Sequence, residues 1–123
     1  MGLTHVVVRL FNSHSQDTYE ADFLVDTGSM DTMAPASALK KLGIEPDGKD
    51  LYELASGERV EYEYGSAKLE FMGEQHVPIR ILFGPDGSAP ILGVVALEVA
   101  GYIVDPKNQA IRKLEARPLK RVA

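Results

Sequence analysis

Residues 23–29, which read Phe-Leu-Val-Asp-Thr-Gly-Ser, constrain the fold and the chemistry of this 123-residue chain more than any other segment. An apolar stretch predicted to be a strand leads directly into one carboxylate, Asp26, at the start of a turn that contains Gly28. A strand that ends in this way places an ionisable group at the mouth of a core, where its surroundings control its protonation. The chain has a single Asp-Thr-Gly. Because a carboxylate in acid–base chemistry needs a partner, the sequence predicts a homodimer with a shared site.

The length fits one domain. We expect this domain to span residues 1–123, with a core over about 4–114 and a basic tail over 115–123. The net charge of −5 argues against a nucleic-acid-binding protein. The absence of cysteine excludes disulfides and cysteine catalysis. The three histidines, His5, His14 and His76, do not have the spacing of metal ligands, so we expect no metal site. We expect no cofactor either.

The start of the chain lacks the basic region and long apolar stretch of a targeting signal. The apolar runs along the chain are too short to span a bilayer. We therefore expect a cytoplasmic protein with no membrane partner. The basic tail is expected to be a solvated surface, or alternatively to help two chains associate or to contact an acidic partner.

Most of the chain is predicted to form short strands. The clearest alternation places Val60, Tyr62 and Tyr64 on one face of a strand, with charged residues between them. Ser56-Gly57 and Met72-Gly73 are the predicted tips of two hairpins. Further strands are predicted over residues 6–11, 19–25, 102–104 and 110–111, short helices over 35–42 and 94–100, and a loop over 28–34. The predicted fold class is therefore mainly β with one or two short helices.

One pattern occurs twice in the sequence. An apolar strand, a glycine turn and a short helix that ends in glycine fill residues 23–43 and again residues 79–101. Only the first copy carries the aspartate.

This order of elements, from about residue 6 to residue 111, resembles that of retropepsin-like aspartic proteases, the retroviral-type branch with single-domain cellular and prokaryotic forms. In that family a strand leads into Asp-Thr-Gly, a flap hairpin follows, and an apolar-apolar-Gly turn precedes a helix. Residues 91–93, Ile-Leu-Gly, match that last turn. The resemblance implies the acid-protease half-barrel, active as a twofold homodimer on peptide or protein substrates.

The resemblance also implies roles for individual residues. Asp26 matches the catalytic aspartate, and Thr27 matches the residue whose hydroxyl braces the two loops across the dimer. Gly28 matches the position of close substrate approach, and the Ser29 hydroxyl can donate to the carboxylate. The flap tip corresponds to Ala55, Ser56 and Gly57. The substrate-binding positions implied are Met30, Asp31, Phe83, Gly84, Pro85 and Ile91.

Two positions depart from the retroviral pattern. Met30 and Val94 stand where retroviral enzymes carry an acidic residue and an arginine that form an ion pair. Both are apolar here, so the dimer and its loops need a different brace.

Two Asp26 carboxylates at a twofold axis cannot both ionise, so they share a proton and activate a water for peptide hydrolysis. Two other functions stay open: a catalytically silent peptide-binding or dimerisation module, and a structural β-domain in which Asp26 only caps a turn. Asp31 binds substrate or is a solvated loop acid. Three tyrosines line the cleft or pack across strands: Tyr52, Tyr62 and Tyr64. The residues predicted to form hydrophobic substrate pockets are Met30, Ile81, Phe83, Ile91 and Val94.

Overall fold

The computed structural model describes residues 4–105, 107 and 110–119. Its strands are β1 Thr4–Phe11, β2 Thr18–Val25, β3 Thr32–Pro35, β4 Gly48–Glu53, β5 Arg59–Phe71, β6 Glu74–Gly84, β7 Ile91–Leu92, β8 Tyr102–Asp105 and β9 Ala110–Lys113. The helices are α1 Ala36–Lys41 and α2 Val94–Ala100. The predicted fold class, mainly β with short helices, is confirmed.

Seven strands form one sheet in the order β1-β2-β7-β3-β6-β5-β4. An additional antiparallel pairing joins β1 to β5, with Leu10 opposite Leu69. This pairing closes six strands into a ring, and only β4 remains outside it at an edge. The ring encloses the apolar side chains, while the edge strand β4 projects from the long strand β5.

Both predicted hairpins are confirmed. β4 and β5 pair antiparallel around a tip at residues 54–58, and β5 and β6 pair around Met72 and Gly73. Met72 and Gly73 have φ values of +49° and +84°, the combination that a tight two-residue turn between twisted strands requires. The alternation in residues 59–71 is therefore that of a strand paired on both sides.

The predicted loop over residues 28–34 is wrong at its end, because residues 32–35 form strand β3. Thr32 and Ala34 are buried there, and β3 pairs in parallel with β6 and antiparallel with β7. Four residues with a C-terminal proline carry too short a pattern to indicate a strand. Pairing with distant segments creates this strand, which sequence periodicity cannot register.

The repeated pattern of the sequence has a structural counterpart. β2 pairs in parallel with β7, and β6 pairs in parallel with β3. The long strand of each copy thus pairs with the short strand of the other. This crossing brings the turn after β2 next to the turn before α2.

Both helices occupy the predicted places. α1 follows Pro35 and is succeeded by Gly43 at φ +77°, and α2 ends at Gly101 in the left-handed conformation with φ +86°. No helix in the described ranges is long and apolar enough to cross a membrane. Within the predicted tail, Arg117 donates from Nη1 to the carbonyl of Val99 at 2.7 Å, which satisfies an orphan carbonyl of α2. Residues 120–123 of that tail lie outside the described residues.

The core lies inside the ring of strands and extends under α2. Every strand of the ring contributes buried apolar side chains to this core. Closing the ring therefore removes their apolar surface from water. The largest fully buried apolar side chains are Phe23, Leu10, Leu39, Leu69, Ile81, Leu92, Leu97 and Val8.

We predict that Phe23→Ala lowers the free energy of unfolding by about 3–5 kcal/mol, because the ring of Phe23 is 0% exposed and its loss leaves a cavity. The measurement is urea denaturation followed by circular dichroism. Val7→Ala is the control, since Val7 is 58% exposed on neighbouring β1 and should change stability by about 0.5 kcal/mol or less. Equal effects of the two substitutions would contradict the placement of the core.

Candidate active site

Strand β2 delivers Asp26 to the first position after its last residue, Val25. The Asp26 amide donates to the carbonyl of Leu92 at 3.1 Å, which extends the parallel pairing of β2 with β7. Its carboxylate accepts from the amide of Gly28 at 2.9 Å on Oδ1 and from the hydroxyl of Ser29 at 3.2 Å on Oδ2. Both oxygens are thus oriented by the turn that follows, and the half-buried carboxylate faces the cleft.

The start of α2 braces this turn from below. The amides of Val94 and Val95 donate to the carbonyls of Ser29 and Met30 at 2.9 and 3.1 Å. The amide of Gly93 donates to the buried hydroxyl of Thr32 at 3.0 Å. The backbone of the loop after Asp26 is therefore fixed by hydrogen bonds to a segment more than sixty residues later.

Residue 93 must be glycine for this contact. A Cβ atom there would lie 2.5 Å from the carbonyl carbon and oxygen of Asp31 and 2.6 Å from the carbonyl oxygen of Met30. These atoms are backbone and cannot rotate away. The Ile-Leu-Gly motif therefore ends in the one residue that allows α2 to approach the loop.

The hairpin of β4 and β5 extends over the same region as a flap. At its tip the amide of Leu54 donates to the carbonyl of Glu58, and the amide of Gly57 donates to the carbonyl of Leu54, both at 2.8 Å. Gly57 has φ +88°, which the turn requires. The tip residues Ala55, Ser56 and Gly57 are exposed.

A cleft of about 780 Å³ separates the flap arm from the Asp26 turn. Its lining is Asp26, Gly28, Ser29, Met30, Asp31, Met33, Asp50, Leu51, Tyr52, Glu53, Leu54, Ala55, Tyr62, Arg80, Leu82 and Ile91. A second depression, of about 540 Å³, lies between α2 and the β5–β6 hairpin and does not contain Asp26. The first cleft therefore combines the Asp26 carboxylate with apolar side chains and with residues 50–55 of the β4–β5 hairpin.

A polar cluster joins the flap arm to the floor of the cleft. The hydroxyl of Tyr52 donates to Oδ2 of Asp31 at 2.5 Å and accepts from Nη2 of Arg80 at 3.0 Å. Nη2 of Arg80 also donates to Oδ2 of Asp50 at 2.7 Å. The guanidinium carbon lies 3.6 Å from the ring centroid of Tyr64, a cation–π contact.

The contacts within this cluster shift the pKa values of Tyr52 and Asp50. Burial first, and then the hydrogen bond to Asp31, raise the pKa of Tyr52 to about 12. The hydrogen bond from Arg80 lowers the pKa of Asp50 below its ordinary value. Tyr52 therefore stays protonated as a donor while Asp50 stays ionised as an acceptor across the neutral range.

The structure brings part of the predicted site together. Asp26, Gly28, Ser29, Met30, Asp31, Ala55 and Ile91 all line the cleft, as do Tyr52 and Tyr62. Thr27, Ser56 and Gly57 are exposed and do not line the cleft.

The other predicted positions lie away from this cleft. Phe83 is 6% exposed within the core, and Gly84 packs against Met33 where β6 meets β3. Pro85 is exposed in the following loop. Ile81 is fully buried, and neither it nor Val94 lines the cleft. The wall that β6 presents is instead formed by Leu82 and Arg80.

Sequence reasoning missed Arg80, Asp50 and Leu82 as cleft residues. One signal was available for Arg80, a single cation between Ile79 and Ile81 in an otherwise apolar strand. Among residues 4–105, 107 and 110–119, no group of histidine and acidic side chains could hold a metal ion.

A family model described as aspartyl protease matches residues 11–96, which include the Asp26 turn, the flap and the Ile-Leu-Gly motif. No curated protein matches. Among solved structures, the chain is similar to a retropepsin-like aspartic protease from Rickettsia conorii at 19% identity, over 85% of this chain and 94% of that chain, with a TM-score of 0.44.

The polar cluster predicts the alkaline titration of the tyrosines. Because the pKa of Tyr52 is raised to about 12, its stabilising contribution is complete below the unfolded value of 10.0 and is lost as pH rises through about 12. We expect the difference in phenolate absorbance between wild type and Tyr52→Phe to have its midpoint near the upper value. A difference spectrum centred near pH 10 would contradict the burial of Tyr52 and its hydrogen bond to Asp31.

Proposed function

This chain belongs to the aspartyl protease family, and from that premise we propose that it is an aspartic endopeptidase that acts as a homodimer. The observation that supports this most directly is the orientation of Asp26. Its carboxylate is half-buried at the floor of a cleft and receives hydrogen bonds from Gly28 and Ser29. An aspartate that only capped a turn would not need a covered cleft in front of it.

The proposed reaction requires two copies of Asp26. Two carboxylates a few ångströms apart hold one proton between them, because both cannot be ionised. The ionised group takes a proton from water as the water oxygen attacks the peptide carbonyl carbon, and the protonated group donates to the carbonyl oxygen. The tetrahedral intermediate then breaks its C–N bond: the departing nitrogen takes a proton from the carboxyl pair, and one hydroxyl of the intermediate returns a proton to the pair as the carbonyl re-forms, which restores the singly protonated pair. No metal or cofactor takes part.

An edge strand is available to hold the substrate. β4 lies at the end of the described sheet order, and residues 50–55 line the cleft. An extended peptide can pair with the backbone of such an edge, which gives affinity that depends little on sequence. The flap tip then covers the scissile bond and excludes water.

We expect Asp26→Asn to abolish peptide cleavage, because an amide can neither take the proton from water nor share one with its partner. A mixed peptide library incubated from pH 3 to 8, with the cuts located by mass spectrometry, measures this. Sedimentation of both proteins checks that the variant still associates and folds as wild type does.

Two outcomes would contradict the proposal. Equal cleavage by wild type and Asp26→Asn would assign the activity to other groups. Binding of peptides by a folded wild-type dimer that cuts none of them would favour the silent peptide-binding module instead.

The apolar lining predicts the specificity of the proposed enzyme. Side chains of Met30, Met33, Leu54, Leu82 and Ile91 line the cleft, and Met30 is 66% exposed. We expect peptides with leucine or phenylalanine next to the cut to react faster, by about tenfold or more in kcat/KM, than matched peptides with glutamate there, because an apolar wall offers a charged group no partner. A library profile dominated by charged residues at the cut would refute this.

A further inference from the structure

We propose that Asp31, Tyr52 and Arg80 form a flap clamp, a set of positioning residues that holds the flap arm over Asp26. This inference rests on the proposed peptidase function for its effect on catalysis. The contacts that carry it are internal to one protomer. It assigns to Asp31 a role different from the substrate contact that the family resemblance implies.

Asp31 is the anchor of the flap clamp on the catalytic side. It lies on the same loop as Asp26, one residue before β3, and the hydrogen bonds from α2 fix the backbone just before it. Its side chain is only 9% exposed. Oδ2 receives the Tyr52 hydroxyl at 2.5 Å and lies 3.5 Å from Nε of Arg80. The flap arm and the floor therefore already engage this oxygen before any substrate arrives.

Arg80 joins the floor to both strands of the flap hairpin. It projects from β6 and contacts Asp50 and Tyr52 on β4 through Nη2, at 2.7 and 3.0 Å. Its guanidinium stacks on Tyr64 of β5 at 3.6 Å. A planar cation with several donors suits such a junction, because it can satisfy partners in different directions at once.

The hydroxyl of Tyr52 adds hydrogen bonds between two charged groups whose direct contact is an ion pair at 3.5 Å. Nε of Arg80 is buried and has no hydrogen-bond partner among the described residues, since its distance to Asp31 is 3.5 Å. The hydroxyl donates to Asp31 and accepts from Arg80, so it connects the anion and the cation by two charge-assisted hydrogen bonds. Its loss removes the hydrogen bond between the flap arm and Asp31 and leaves the contact of Arg80 with Asp50 to hold the arm.

The flap depends on this link because it has few others. Among the described strands, β4 pairs only with β5, and the tip residues are exposed. An edge hairpin of this kind opens readily when its side-chain contacts are removed. The position of the flap arm at the Asp26 cleft is therefore set by the flap clamp as well as by the strand pairing.

The test compares Tyr52→Phe and Asp31→Asn with Tyr102→Phe. Tyr102 is a matched control outside the cleft, because its hydroxyl also contacts a carboxylate, Glu74, at 3.4 Å, and Lys113 pairs with the same carboxylate. Each variant is measured by amide hydrogen exchange over residues 48–58 without substrate, and by kcat and KM on one good peptide. Thermal unfolding of all variants separates a general loss of stability from a local one.

We expect faster exchange over residues 48–58 in Tyr52→Phe and Asp31→Asn, and a fall of about tenfold in kcat/KM that comes mainly from a higher KM. The double variant should fall little further than the worse single variant, because Tyr52→Phe removes, and Asp31→Asn weakens by loss of charge, the same hydrogen bond. Tyr102→Phe should leave both exchange over these residues and kcat/KM within about twofold of wild type.

The flap clamp is refuted if exchange over residues 48–58 is unchanged in both cleft variants. It is also refuted if exchange rises while kcat/KM stays at the Tyr102→Phe level. If wild type cleaves no peptide, the peptidase proposal has failed, and exchange alone decides the flap clamp. In that case, faster amide exchange over residues 48–58 in Tyr52→Phe but not in Tyr102→Phe supports the flap clamp, and unchanged exchange in Tyr52→Phe overturns it.

Discussion

The contact between the start of α2 and the loop after Asp26 is the constraint on which the site depends. Gly93 lies so close to the backbone of Met30 and Asp31 that no Cβ fits between them. This approach lets three consecutive amides, from residues 93–95, bind Thr32, Ser29 and Met30. The loop is thus held by two backbone hydrogen bonds and by one to the buried Thr32 hydroxyl, and these contacts fix the position of Asp26 at the start of the loop.

Structural features that depend on one continuous stretch of sequence were predictable. The strand that ends in Asp26, the glycine turns of both hairpins and the alternation of β5 are local patterns, and each has a local physical cause. Strand β3 was not predictable in this way, because its four residues become a strand only by pairing with β6 and β7. The cluster of Asp31, Tyr52 and Arg80 is similar, since three distant segments must meet before any of its contacts exists.

The wall formed by β6 shows a second limit. Alternation assigns neighbouring residues to opposite faces, but a strand that is apolar on both faces does not indicate which face meets the cleft. Residues 81–83 are Ile, Leu and Phe, all of them buried. The closure of the ring through β1 and β5 turns Ile81 and Phe83 inward, and Leu82 is left to line the cleft. The predicted pocket was apolar, as the cleft is, but two of its predicted members point to the core.

The contacts that orient Asp26 explain what dimerisation has to supply in the proposed enzyme. The partners of its carboxylate, Gly28 and Ser29, and the amides that brace its loop all belong to the same protomer. Met30 and Val94 are apolar, and the amide of Val94 donates to the carbonyl of Ser29. In the enzyme that we propose, each protomer contributes a half-site whose loop is already ordered, and association brings the second carboxylate to the first without also having to order the loops.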